Sequence, residues 1–542
     1  MKIHGIYFNK FIFPTAILLA CSFTTTAQKP SLKGWHLEDY KTTGHYGISL
    51  EQAYSFLAEK KIKSTPVIVA ILDDGVDTTH EDLQKVLWIN TKEIPENGID
   101  DDGNGYTDDL HGWNFLGNPD GRNVYANSSE WIRVYWRFKT KYEGVPVDTS
   151  NLNTAQKHEY AMWQKARSGV VGKGMKEEEL NNMRTYLLNA AFCDSILKVK
   201  FSGGEFTDRQ LNLYQPADKR ENEVKAFFLE VFKQFTIPDA TNKFVMKELQ
   251  LYVTGEERRA SGDKVPPEDN RRDITGDDEK IATKSFYGNN NISNAPLMHG
   301  SHLAGIIGAI RNNGIGMDGI ADHVQIMVVR TSAEGDEYDK DIAMGIRYAV
   351  DNGARVINMS FGKSLSPDKK MIDEAVKYAL AKDVLLVQAA GNSKRNIDAF
   401  DNFPNPKYLL TDSLAANWIT VGASDANGMA ADFSNFGAKV VNVFAPGVAI
   451  YSTIPGGNKY MSWDGTSMAS PVVTGVAALL RSYFPNLGAV EIKKIIEQAV
   501  TVPTAMTLRP GTKEKIPMNM LCSSGGIVNA MQAVTVAFDY KN

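Results

Sequence analysis

Short, continuously apolar runs alternate along this chain with longer stretches in which apolar residues recur every three or four positions. Val67-Ile68-Val69-Ala70-Ile71-Leu72 is the clearest of the runs, and a β-branched stretch of that length reads as a buried strand. The same reading predicts strands over 66–72, 324–330, 354–360, 384–389, 418–423 and 440–445. Helical spacing predicts helices over 300–311, 339–352, 367–382, 467–483 and 489–499. Strand and helix in alternation imply an α/β fold, with a mainly parallel sheet flanked by helices in three layers. A lead-in from Gly34-Trp35-His36-Leu37 to Leu57 precedes the first strand. Within it, Ser49-Leu50-Glu51 reads as a helix start with an acidic first turn.

Residues 116–290 break this rhythm. They are rich in Glu, Lys, Tyr and Phe, with helical periods over 155–168, 175–199, 208–235 and 241–254. Glu177-Glu178-Glu179 suits the positive end of a helix dipole. This stretch reads as an inserted, mainly helical subdomain. It divides the α/β domain into a first part, 28–115, and a second, 291–542. The insert is expected either to act as a lid, substrate platform or gate, or to be a packing or partner-binding appendage.

The N-terminus reads as an export signal over residues 1–27. Lys2 and Lys10 precede the apolar core Phe11-Ile12-Phe13-Pro14-Thr15-Ala16-Ile17-Leu18-Leu19-Ala20, which is too short and interrupted for a membrane span. Thr25-Thr26-Ala27 before Gln28 suits signal-peptidase cleavage. Leu18-Leu19-Ala20-Cys21 approximates a lipobox, so a lipid anchor at Cys21 is the rival route. No other stretch is long and apolar enough to span a membrane. A net charge of -5 argues against nucleic acid as a partner. Three cysteines, Cys21, Cys193 and Cys522, make neither a disulfide framework nor a zinc cluster. One Cys193–Cys522 bridge and two unpaired thiols both stay open, and calcium is the expected staple.

The candidate chemistry begins at Asp464-Gly465-Thr466-Ser467-Met468-Ala469-Ser470-Pro471, a tight turn that puts a serine at the start of a small-residue helix. That arrangement exposes a hydroxyl and aims backbone N–H groups at whatever it attacks. A serine hydroxyl needs a base, and Met298-His299-Gly300-Ser301-His302 offers one at the start of another helix. The base needs a carboxylate, and the strand ending at Leu72 runs into Asp73-Asp74-Gly75. A further strand ends in Ala389-Ala390-Gly391-Asn392, whose side-chain amide suits an oxyanion hole. Alone, each segment is ordinary: a capped helix, a turn aspartate, a packed histidine.

In the order Asp, His, Asn, Ser, the four segments resemble the subtilisin-like serine proteases, the subtilases, whose known order this is. The resemblance covers about 34–115 and 296–535. It implies that Asp73 orients the base, His299 is general base and acid, Ser467 is the nucleophile, and Asn392 joins the Ser467 N–H in the oxyanion hole. It further implies that Ser360-Phe361-Gly362 pairs with substrate backbone. Ala389, Ala390 and Gly391 should line one wall of the first specificity pocket, with Asn402 near its base. The chain departs from the family at Asp74, as in the kexin branch, and at Ser301 in His299-Gly300-Ser301-His302; His302 reads as structural. The expected activity is that of an exported serine endopeptidase acting on proteins or peptides. The alternatives are a peptidase restricted to short peptides by the insert and an inert peptide-binding protein.

Two calcium sites are expected. In 98–109, oxygen-bearing residues alternate around Gly103 as in the first half of an EF-hand loop: Asp100, Asp102, Asn104, the Tyr106 carbonyl and Asp108, with Asp109 closing. The resemblance implies a second site between Asp82 and Asn313.

Overall fold

The computed structural model describes residues 32–235, 240–280, 286–293, 298–411 and 413–541, besides two short strand segments, Lys2–Ile3 and Ile6–Tyr7. The apolar core of the export signal, its cleavage site and Cys21 lie outside the described residues.

The centre of the fold is a nine-stranded sheet. Its strands in chain order are β1 (Val67–Asp73), β2 (Gly112–Asn114), β3 (Val324–Arg330), β4 (Val356–Met359), β5 (Leu385–Ala389), β6 (Trp418–Ser424), β7 (Val443–Pro446), then, after a separate hairpin, β10 (Val500–Thr501) and β11 (Ile527–Val528). The spatial order is β10-β11-β7-β6-β5-β4-β1-β3-β2, parallel throughout except for the β10–β11 pair. The hairpin is β8 (Ile450–Ile454) with β9 (Lys459–Trp463), Ile450 opposite Trp463.

Successive side chains on β1 serve opposite layers, as strand geometry requires. Val67, Val69 and Ile71 join one apolar cluster with α1 (Leu50–Glu59), α8 (Met298–Gly308), α11 (Thr466–Tyr483), α12 (Ala489–Gln498) and α13 (Ala530–Lys541). Ala70 and Leu72 join the other, with α9 (Asp339–Asp351) and α10 (Lys369–Ala381). The α/β expectation and its three layers hold. Every residue of α11 is buried.

Among the described residues between β2 and α8 lie six α-helices: α2 (Glu130–Tyr142), α3 (Thr154–Val170), α4 (Glu177–Leu197), α5 (Asp208–Leu213), α6 (Lys219–Lys233) and α7 (Asn242–Ser261). The α2–α3 hairpin buries Leu365, just beyond β4. Apolar side chains of α4, α6 and α7 merge with the main cluster around β9. The helix expected over 208–235 is two helices. Pro216 lies in the break, and the Asp218 side chain caps the second by accepting from Glu221 N at 2.8 Å. Helix α2, strand β2 and the β8–β9 hairpin were not expected, and the strand expected over 440–445 begins only at Val443. Cys193 and Cys522 are buried and unbridged. Among the described residues no helix is long and apolar enough to cross a membrane.

Candidate active site

Asp73 is the last residue of β1, and His299 stands in the first turn of α8. A close backbone approach brings them together: a Cβ on Gly300 would lie 2.0 Å from the Gly75 carbonyl, and Gly75 has φ +111°. His299 Nδ1 lies 2.7 Å from Asp73 Oδ1. A carboxylate only accepts, so Nδ1 carries the proton and Nε2 is the basic nitrogen. Both groups are buried, at 6% and 3% exposure. Burial opposes their charges, but their mutual attraction prevails, holding Asp73 below the usual carboxylate range and raising His299 above the ordinary imidazole value.

Asp74 does something else. Its Oδ1 accepts from Gly300 N at 2.8 Å, at the start of α8. Burial and the neighbouring Asp73 push its carboxyl up to about 7. His302 is also structural in its surroundings. Its Nε2 donates to the Met461 carbonyl at 3.0 Å, and burial lowers its imidazole to about 3.

Ser467 is the second residue of α11 and is 8% exposed. Its hydroxyl donates to the Ser360 carbonyl at 2.9 Å, while Ser360 Oγ donates back to the Ser467 carbonyl at 3.0 Å. Asn392 Oδ1 accepts from Thr466 N at 2.9 Å and Thr466 Oγ1 at 2.6 Å. Because Thr466 N–H can only donate, the amide oxygen is pinned there, which turns the NH2 end of Asn392 the other way.

Sequence reasoning missed the group beneath the serine. Asn358 is fully buried within β4; it donates to Ser360 Oγ and accepts from Ser470 Oγ and Thr474 Oγ1, each at 2.9 Å. The available signal was an amide inside the otherwise apolar Val356-Ile357-Asn358-Met359. The segment Ser360-Phe361-Gly362 continues β4, and Lys363 exchanges backbone hydrogen bonds with Phe403. Ala389 and Ala390 are buried, and Gly391 follows them. A Cβ on Gly362 would lie 2.8 Å from the Asn402 amide and one on Gly391 3.4 Å from it, so both glycines face Asn402.

The acidic loop is brought together in part. Asp100, Asp102 and Glu93, the last not foreseen, direct carboxylate oxygens to within 4.8 Å of one another, the only such metal-type cluster among the described residues. Glu93 lies seven residues before Asp100, where the spacing pattern gives no hint of it. Asn104 is near, its N–H on Asp100 and Asp102 and its amide on Asp109. The Tyr106 N–H binds the Asn104 side chain. Asp108 turns away to accept from Asn97 N and Gly98 N, and Asp109 accepts from Asn90 and the Tyr348 hydroxyl. Asp82 and Asn313 do meet, 2.5 Å from Asn313 Nδ2 to Asp82 Oδ1, and the Tyr460 hydroxyl takes Asp82 Oδ2 at 2.9 Å.

Residues 64–515 match the sequence model of the Subtilase family. The chain is 39% identical over 204 residues to Alkaline elastase YaB of Bacillus sp. (strain YaB), covering 38% of this chain and 50% of that one. It is 40% identical over 238 residues to Thermophilic serine proteinase of Bacillus sp. (strain AK1), covering 44% and 52%. The chain thus spans about half the length of these curated relatives. Among solved structures, that of Prenylagaramide maturation protease PagA aligns at 26% identity and a TM-score of 0.36, over 44% of this chain and 82% of that one.

Proposed function

Because the chain belongs to the subtilase family, we propose that it is an exported serine endopeptidase whose triad is Asp73, His299 and Ser467. A peptide would lie along Ser360-Phe361-Gly362, its backbone pairing there and its side chain entering between that strand and Ala389-Ala390-Gly391, above Asn402. The Ser467 hydroxyl leaves the Ser360 carbonyl, gives its proton to His299 Nε2 and attacks the peptide carbonyl. Asp73 holds the imidazole in the tautomer that can take that proton. Charge on the carbonyl oxygen meets the Asn392 NH2 and the Ser467 N–H. His299 then protonates the leaving amine, and water hydrolyses the acyl-enzyme by the same route reversed.

The observation that carries this reading is the 2.7 Å contact between His299 Nδ1 and Asp73 Oδ1, residues 226 positions apart. A fluorophosphonate should label the wild type and not Ser467→Ala. A folded wild type that takes no label would sink the reading and favour an inert peptide-binding protein. Restriction to short peptides is the second reading, supported by the burial of Leu365 and of the β9 side chains under the inserted helices. Cleavage of short peptides but not of a folded protein would select it.

Three converging carboxylates suit a hard divalent cation, so Glu93, Asp100 and Asp102 would hold calcium and brace the loop before β2. A cation at Asp82 and Asn313 would have to displace the Tyr460 hydroxyl and reverse the Asn313 amide, so the acidic loop is the stronger site. A chelator should lower the melting temperature of wild type, and much less that of Glu93→Gln/Asp102→Asn. Export rests on the N-terminal signal, by cleavage after Ala27 or through a lipid at Cys21. Intact-mass measurement of the exported protein distinguishes these.

A further inference from the structure

The candidate base and nucleophile come from distant parts of the chain, and one strand serves both. Strand β9 runs through Asp464, Gly465 and Thr466 straight into Ser467. Its last residue, Trp463, is 6% exposed. The indole stacks on His302 with ring centres 4.9 Å apart and planes at 21°, and on His299 at 6.3 Å and 30°. Ring separations of this size lie within the attractive range for aromatic pairs.

The inserted helices reach the same strand from outside. Phe244, buried in the first turn of α7, packs on Trp463 at 6.0 Å. The Thr241 side chain caps that turn by accepting from Phe244 N at 3.4 Å. At the other end of β9, Lys459 pairs with Glu205 at 2.8 Å, and Lys243 lies 3.8 Å from the same carboxylate. The insert therefore grips β9 at both ends, and the Trp463 end lies four residues before Ser467.

We propose that Trp463 is a positioning residue for His299, and that the insert holds it in place through Phe244 and Glu205. The inference rests on the peptidase reading above. A hydrogen bond at Nδ1 fixes a point of the imidazole, and the indole face supplies the plane about that point. Because Trp463 also leads into Ser467, one displacement disturbs the base and the nucleophile together. Misplacement by about 1 Å costs such a reaction on the order of 10²-fold. On this account the insert is part of the catalytic frame.

The test uses the full-length protein with Phe244→Ala, Phe244→Leu, Trp463→Phe and Glu205→Gln. Turnover of a short chromogenic peptide is measured against pH and corrected for the folded fraction. Phe244→Ala should lower kcat about tenfold with KM changed less than about twofold, the pattern of lost transition-state geometry. It should also move the pH of half-maximal kcat, and Phe244→Leu should recover most of both. Unchanged kcat and pH midpoint in Phe244→Ala, with only a lower Tm, would reduce the contact to packing and overturn the proposal. If Phe244→Ala does not fold, unchanged kcat in both Phe244→Leu and Trp463→Phe overturns it instead. A wild type that neither turns over nor takes a fluorophosphonate fails at the peptidase reading, a different result, and this inference falls with it.

Discussion

The ground beneath Ser467 and the seam with the inserted helices handle buried polarity in opposite ways. Beneath Ser467 the buried groups are neutral: Asn358, Ser360, Ser470 and Thr474 share hydrogen bonds of 2.9 Å. At the seam with the insert the buried groups are charged. Lys363 pairs with Glu130 of α2 at 2.6 Å and with Asp339 at 2.8 Å, and Arg133 also pairs with Glu130 at 2.6 Å. Where the insert returns, Arg271 joins Asp341 and Asp277, and Lys340 closes on Asp277. Neutral networks orient groups without desolvating charge, whereas buried ion pairs add little net stability but penalise every wrong arrangement. The contrast suggests that the seam exists to dock the insert in one orientation, while the neutral network holds the candidate nucleophile.

Breaking the seam should have the largest effect. Lys363→Met leaves Glu130 and Asp339 buried without their lysine, a loss of about 3–5 kcal/mol by the general rule for broken buried pairs. Denaturant melts would measure it, and a change under 1 kcal/mol would dissolve the distinction between the two regions. Asn358→Leu takes the acceptor from the buried Ser470 and Thr474 hydroxyls and should cost about 2–3 kcal/mol. Unlike Lys363→Met, it should also slow fluorophosphonate labelling of the fraction that stays folded.

A pH series separates function from stability. Catalysis needs neutral His299, so kcat/KM should rise with a midpoint above the ordinary imidazole value of 6.5, falling about tenfold per pH unit below it. The same raised value makes the Asp73–His299 pair stabilising below the unfolded-state value, and that contribution is lost as pH rises through the folded one. Activity should therefore climb through the window in which the pair stops stabilising. His299→Gln should flatten Tm against pH there, and an acid limb at or below pH 6 would contradict the arrangement. The smallest effect is expected on the insert's outer surface, where Arg184 pairs with Glu177 and Glu257 in the open. Arg184→Ala should change stability by less than about 1 kcal/mol and leave turnover alone.

The parts legible beforehand are those where one local pattern suffices. β-branched runs located β1, β3 and β6 almost to the residue, and the strand-end and helix-start expectations put Asp73 and His299 where they meet at 2.7 Å. The illegible parts depend on partners far away in sequence. Strand β2 is three residues long and exists because β3 offers an edge. Helix α2 carries Arg and Lys among its aromatic residues, so its apolar face shows only once α3 lies on it. The break between α5 and α6 was readable, since Pro216 and the capping Asp218 stood in plain view. Nothing within reach of Trp463 in the sequence announces a histidine stacked on it from α8.

The register of the sheet also sets an order of assembly. Val67 of β1 pairs with Val324 of β3, and on its other side Val69 pairs with Val356, so both neighbours of β1 are synthesised only after the whole insert. At equilibrium that long closure is cheap, since doubling a loop costs only about 0.6 kcal/mol. In time it is not, because distant pairings wait for the chain between them. The helices of the insert can gather while β1 is still unpartnered, and Ser467 emerges last of the three candidate residues. A nascent chain so arranged would stay inert until nearly all of it is made. Pulse-labelled hydrogen exchange should then protect the inserted helices before β1, and the reverse order would refute this timetable.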